Sequence, residues 1–311
     1  MLKKRNIDFV KSFKPALIGY VIFFAISIIL TAIFGINLDI NFKGGTRITY
    51  SYTGELNYED TQGVIEKAID MPVVVSKSTG LTGTEERLVV SLVGSKALSS
   101  EQQKSIQDAL TKEYKDNKFE LYDSNSVNPV IAGTFFTKSL VAVLIAGILV
   151  VLYIGIRFRK IGGVSAAITA FTALFIDVFV AFFTCTIFRL QIDSNFIAVV
   201  LTLFGYSLND TIVIYDRIRE NRPLYPKMST AELVNTSVNS VMARTIVTAL
   251  ATFVAIMMIV GVSELYGLTS LRSFAIPMAT GIISGCLSTL FISTPLWVLW
   301  KNKSDNKKKT K

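Results

Sequence analysis

Histidine is absent from the 311 residues, cysteine occurs twice, and only 18% of positions are charged. Each scarcity excludes a chemistry. Without imidazole, the commonest proton relay and metal ligand is missing. Cys185 and Cys286 both sit in apolar runs with no Cys or His at ligand spacing, so they read as small buried hydrophobes. Carboxylates in sparse single positions make poor transition-metal sites, which excludes zinc and iron chemistry and leaves no cofactor to expect.

What is present in quantity is apolar sequence. Hydrophobic residues make up 51% of the chain, and the mean hydropathy is +0.49, the profile of a membrane protein. Five apolar stretches stand out, Ala16–Phe34, Leu140–Ile156, Val164–Ile187, Phe196–Ile214 and Ile246–Val262. A sixth, Phe274–Trp300, is interrupted by Pro277 and Pro295. Each approaches the ~20 residues that cross a bilayer core. The first is long, lacks a small-x-small exit and runs directly into Gly35–Asp39, so it reads as a span rather than a cleaved signal.

The charges that exist are segregated. Basic residues gather at Lys3, Lys4, Arg5, Lys11 and Lys14, at Arg157, Arg159 and Lys160, at Arg217, Arg219, Arg222 and Lys227, and in the tail from Lys307 to Lys311. With six spans these clusters fall on one side, which predicts both termini in the cytoplasm. The net charge of +9 is then a topology signal. The basic residues lack interleaved aromatics, and nucleic-acid binding is not expected. Residues 36–135 carry 14 acidic and 10 basic residues and fall on the opposite, extracytoplasmic side.

That loop has the punctuation of a folded domain. Arg47–Thr53, Pro72–Ser78, Arg87–Val93 and Lys118–Tyr122 suit strands, the second and third joined by a Gly80–Gly83 turn. Asn57–Ile69 and Glu101–Tyr114 suit helices, capped by Asn57 and by Ser99 or Ser100. The order β-α-β-β-α-β is the ferredoxin-like arrangement. No catalytic constellation appears in it, so a binding or lever domain is expected and not an enzyme. The expected organisation is a cytoplasmic N-terminus with the first span (1–35), an extracytoplasmic α+β domain (36–135), a bundle of spans two to six (136–300) and a basic cytoplasmic tail (301–311). Gly44 and Gly45 form either a tight turn or a hinge on which the domain swings.

Two acids stand inside apolar stretches, Asp177 and Asp210. A charge at mid-bilayer is expensive and marks function or a partner. Residues three and four apart share a helix face, which groups Tyr206, Ser207 and Asp210, with Asn209 adjacent. On the next span Ser240, Arg244, Thr248 and Thr252 form a polar stripe, flanked by Thr245. Opposed stripes predict a hydrated seam in which Asp210 and Arg244 pair, either permanently or switched by protonation. Asp177 either extends that path, faces a partner or pairs locally. Gly281 and Gly285 mark a close helix contact. An intramembrane aspartyl protease would require paired carboxylates sharing one site, and the setting of Asp177 and Asp210 is not such a dyad.

Three segments then carry a resemblance: Asn41–Thr46 (NFKGGT), Gly205–Asn221 (GYSLNDTIVIYDRIREN) and Ser240–Thr248 (SVMARTIVT). Leu271–Ala275, Gly281–Gly285 and Ser293–Leu296 extend it. Together they resemble the SecF family of protein-export membrane proteins, in the SecD/SecF group of the RND superfamily. Asn41 stands where that family often has Asp, and Cys286 where an aromatic is common. The resemblance implies one six-span half of a two-half assembly. It implies SecD as the partner, with the SecYEG channel and SecA working indirectly, a preprotein as substrate and membrane lipids as surroundings. It also implies use of a proton- or sodium-motive force for late steps of export, with ion coupling at Asp210, Arg244, Asn209, Asp177 and Thr248. The alternative within the same fold is an exporter of small molecules or lipids; those relatives carry twelve spans and larger external domains.

Overall fold

The computed structural model describes residues 7–79, 86–92, 98–115, 117–266 and 269–309. The expected Gly80–Gly83 turn and the basic residues Lys3, Lys4, Arg5 and Lys311 of the two tails lie outside them. Among the described residues six helices are long and apolar enough to cross a membrane: α1 (Phe13–Phe34), α5 (Pro129–Arg157), α6 (Gly163–Ile187), α7 (Ser194–Leu224), α8 (Thr230–Leu265), and a sixth made of two consecutive helices. These are α9 (Thr269–Ser288) and α10 (Thr294–Lys309), joined by a π-helical turn at Thr289–Ser293. Pro277 is absorbed inside α9, and Pro295 falls just after the π turn, where its missing N–H is accommodated.

Burial divides these spans into two groups. Most of α6 and of the α9–α10 span, and nearly half of α7, are buried, whereas α1, α5 and α8 present most of their apolar surface outward. On α6 the buried residues Ala166, Ala170, Ala173, Asp177, Val180 and Thr184 recur at helical spacing. Small side chains let backbones approach, as at Gly281 of α9, where a Cβ would come within 2.5 Å of the Leu203 side chain on α7.

Between α1 and α5 the chain forms α2 (Ile40–Lys43), β1 (Gly45–Ser51), α3 (Tyr58–Ile69), β2 (Val73–Thr79), β3 (Glu86–Leu92), α4 (Ser100–Glu113) and β4 (Glu120–Val127). The four strands form one antiparallel sheet in the order β2-β3-β1-β4, the ferredoxin-like topology. Asn57 caps α3 by accepting from the Glu59 N–H, and Ser99 with Gln102 closes a capping box on α4. Ile48, Tyr50, Leu88 and Val90 of the sheet meet Ile65, Ile106 and Leu110 of the two helices in a separate core. The last strand is longer than its apolar pattern predicts. Asp123–Ser126 are held in it by pairing with β1 rather than by burial.

The junction between sheet and bundle is braced. Phe42 of α2 stacks on Phe135 and meets Phe136 edge-to-face, both on α5. Gly44 (φ 75°) lies so close to Pro129 that a Cβ would come within 2.7 Å of its Cα. Asp39, 2% exposed, accepts from Arg47 Nη1 at 3.1 Å, and the same nitrogen donates to Gln191 Oε1 at 3.3 Å. Asp39 and Ile192 are also joined through the backbone. One arginine of β1 therefore ties the sheet to the turn that connects α6 to α7.

Candidate functional site

Helix α7 is started by Asp193, which caps it by accepting from the N–H groups of Asn195 and Phe196. Its buried face then runs Phe196, Val199, Leu203, Ser207, Asp210, Ile214 and Ile218. That phase carries Ser207 and Asp210 into the bundle and turns Asn209 outward, where it is exposed. The same logic on α6 brings in Asp177, 1% exposed.

Asp177 is met from two sides. Ser207 Oγ of α7 donates to its Oδ2 at 2.9 Å, and Ser284 Oγ of α9 donates to its Oδ1 at 2.7 Å. Tyr20 of α1 reaches the Ser284 carbonyl at 3.3 Å. Gly285 makes room for this knot, since a Cβ there would touch Asp177 Oδ2 and Ser207 at 3.5 Å. Four spans thus meet in one knot, in which Asp177 is paired locally by Ser207 and Ser284. Further along α6, Thr184 bonds Thr280 at 3.0 Å. Toward the other end Thr169 bonds Tyr215 at 2.8 Å, and Tyr215 bonds Ser293 at 3.1 Å. At 1.5 Å rise per residue, Thr169 to Thr184 places polar groups along about 22 Å of the core.

Asp210, one turn from Ser207, is in a different situation. It is 3% exposed, and its Oδ2 has no hydrogen-bond partner among the described residues. Arg244 lies within Coulombic reach of it, but no nitrogen–oxygen approach of 4.0 Å or less joins the two. The pair is open here, which corrects the permanently closed alternative and leaves the one switched by protonation, and the two stripes do not face each other squarely. On α8 the inward residues at this level are Thr245 and Ala249. Arg244 and Thr248, about 100° around the helix from them, are exposed. Thr248 spends its hydroxyl on the carbonyls of Arg244 and Thr245. Ser240, at the head of the stripe, accepts from Arg217 Nε of α7 at 3.1 Å. The structure brings Asp177, Ser207 and Ser284 together, sets Asp210 beside them, and leaves Asn209, Arg244 and Thr248 on the surface of α7 and α8.

Ser284, Tyr20 and the Asp39–Arg47–Gln191 brace escape the sequence reading. The Ser284 signal was its place between Gly281 and Gly285, where a close helix contact puts a small hydroxyl against whatever faces it. Gly44 and Gly45 both take positive φ, 75° and 127°, which is the tight-turn geometry; the sequence left turn and hinge open.

Comparison with known proteins bears on this arrangement. Residues 106–303 match the family model described as "Protein export membrane protein SecD/SecF, C-terminal". The chain belongs to the SecD/SecF family. It is 34% identical over 284 residues to the protein translocase subunit SecF of Alicyclobacillus acidocaldarius, covering 90% of this chain and 88% of that one. It is 31% identical over 296 residues to the SecF subunit of Petrotoga mobilis, covering 94% and 95%. Among solved structures, it is similar to SecDF, a translocon-associated membrane protein from Thermus thermophilus, with TM-score 0.79 and 27% identity. That match covers 95% of this chain but 39% of the SecDF chain. The SecF relatives are named as protein translocase subunits, and the fold of this chain is shared with part of the SecDF chain.

Proposed function

We propose that the chain is one half of an ion-driven protein-export motor, completed by a SecD half. Together they use a proton- or sodium-motive force to draw preproteins outward after the SecA and SecYEG steps. In this reading both termini and the basic span ends are cytoplasmic and the sheet domain is extracytoplasmic. The observation that carries it is the pairing of opposites at one membrane level. Asp210 is sunk in the core with an unpartnered oxygen, while Arg244 stands on the surface without an ion pair among the described residues. Both conditions are expensive in hydrocarbon. Protonation of Asp210 relieves the first, and a second membrane subunit covering α7 and α8 relieves the second. Asn209 and Thr248 belong to that covered surface.

The working cycle is a two-state one in which ion occupancy of Asp210 selects between arrangements of α7 and α8. Asp177, held by α7 and α9, carries the change into the core. The α6–α7 turn passes it through Gln191, Arg47 and Asp39 to the sheet, which moves about the Gly44–Gly45 turn. The test is export in cells relying on Asp210→Asn or Arg244→Ala chains, with SecD co-purification measured in parallel. Loss of export with assembly intact supports the reading; normal export by both variants under a full ion gradient sinks it.

A further inference from the structure

At the end of the spans remote from the sheet, an open cleft of about 660 Å³ is lined by Lys160, Ile161, Arg219, Arg222 and Pro223. It lies between the short 3-10 turn Arg159–Ile161, which follows α5, and the end of α7. Two features separate it from an ordinary positively charged loop. The first is charge balance. Asp216 is the one carboxylate nearby on this face of α7, and it is already engaged by Arg157 at 3.1 Å and Arg219 at 2.9 Å. Glu220 is bonded to Arg217 at 3.2 Å and does not line the cleft. Lys160 and Arg222 have no hydrogen-bond or ion partner among the described residues. The cleft therefore holds several cations, no acidic lining residue, and room for a multi-atom anion.

The second feature is the wall beside it. Ile156, 65% exposed, and Val164, 73% exposed, flank the 3-10 turn on the membrane-facing side. Cations at the boundary above an exposed aliphatic surface match an amphiphile, with an anionic head in the cleft and an acyl chain along α5 and α6.

We propose that this cleft is a binding site for the phosphodiester headgroup of an anionic phospholipid. Lys160 and Arg222 supply the free cations, and Arg219, oriented by Asp216, supplies a third. Arg157, on the other oxygen of Asp216, fixes the position of that carboxylate rather than contacting lipid. The site is independent of the ion-coupling residues and of membrane orientation.

The test is retention of lipid by the full-length purified chain in nanodiscs of phosphatidylcholine with graded phosphatidylglycerol, read by native mass spectrometry and titration. Each surface cation contributes roughly fivefold to anionic-lipid affinity, so Lys160→Ala with Arg222→Ala is expected to weaken phosphatidylglycerol binding about thirtyfold. The charge-matched control, Lys14→Ala with Lys303→Ala, is expected to change it less than twofold. The charge-conserving pair Lys160→Arg with Arg222→Lys is expected to retain binding, which separates a lost site from a misfolded chain. Three outcomes overturn the proposal: no wild-type preference for phosphatidylglycerol over phosphatidylcholine, equal weakening in the control pair, or displacement of all retained lipid by millimolar inorganic phosphate. The last would assign the cleft to a soluble phosphate instead.

Discussion

Replacing Asp210 with asparagine separates what this side chain costs from what it does. In the wild type a carboxylate sits 3% exposed with one oxygen unpartnered among the described residues. Insertion scales put a charge at mid-span at about 2.5–3.5 kcal/mol. The amide removes the charge but leaves one polar group without a partner, a cost of about 1–3 kcal/mol. Arg244 is close enough to offset part of the carboxylate penalty, so the lower end of the difference applies. Asp210→Asn is expected to be neutral to about 1 kcal/mol more stable, measured by equilibrium unfolding in mixed micelles at neutral pH. The same variant is expected to lose ion-dependent export. Greater stability with lost function is the signature of a strained working residue. Destabilisation by more than about 1 kcal/mol would instead make the carboxylate a structural acceptor whose partners the amide fails to satisfy.

Other consequences follow from the packing and the junction. Gly281→Val forces branched carbon against Leu203, where even a Cβ would sit 2.5 Å from Cδ1. Such overpacking costs about 1–3 kcal/mol and is read by the same micelle unfolding, with Gly261→Val, in open space, as the control. Arg47→Ala leaves the Asp39 carboxylate without its cation. Loss of one partner of a fully buried pair costs about 3–5 kcal/mol, reduced here to about 2 because Arg47 is 30% exposed. The expected readout is faster proteolysis at the sheet–bundle junction, rescued by Arg47→Lys only in part because lysine does not reproduce the planar fork. At the amino-terminal segment, Asp8 accepts from Asn235 Nδ2 at 2.8 Å, and this bond and the Lys11 N–H hold its carboxyl below the usual carboxylate range. A depressed value contributes stability above the unfolded value near 3.8, which is lost as the pH falls through the folded value. Asp8→Asn is therefore expected to lower the unfolding temperature at pH 7 and to converge with wild type below pH 4.

The spans, the sheet domain and its strand order were legible because burial imposes periods of about 3.6 and 2 residues on the sequence. The intramembrane acids were legible for the opposite reason: a charge in an apolar run has no bland explanation. What was illegible is helix phase between neighbours. Arg244 and Thr248 share a face of α8 as spacing requires, but spacing does not say which face meets α7, and in the structure it is Thr245 and Ala249 that turn inward. Asn209 is a like case, adjacent to Asp210 in sequence yet about 200° from Ser207 around the helix and exposed. Ser284 was hidden because serine in a membrane helix commonly bonds its own backbone, and only contact with α6 reveals Asp177 as its partner. The junction brace was hidden for a different reason. It joins Asp39, Arg47 and Gln191 across 144 residues between the last two, and no local pattern encodes such a contact.

Whether Asp210 changes ion occupancy during work is read most directly from ion flux in proteoliposomes containing SecD and this chain. With an imposed proton or sodium gradient, the wild-type complex is expected to show a flux that Asp210→Asn abolishes while vesicle integrity and assembly are unchanged. A flux with either ion that persists undiminished in the Asp210→Asn complex, or no flux in the wild type with both, would rule out an ion-coupling role for Asp210.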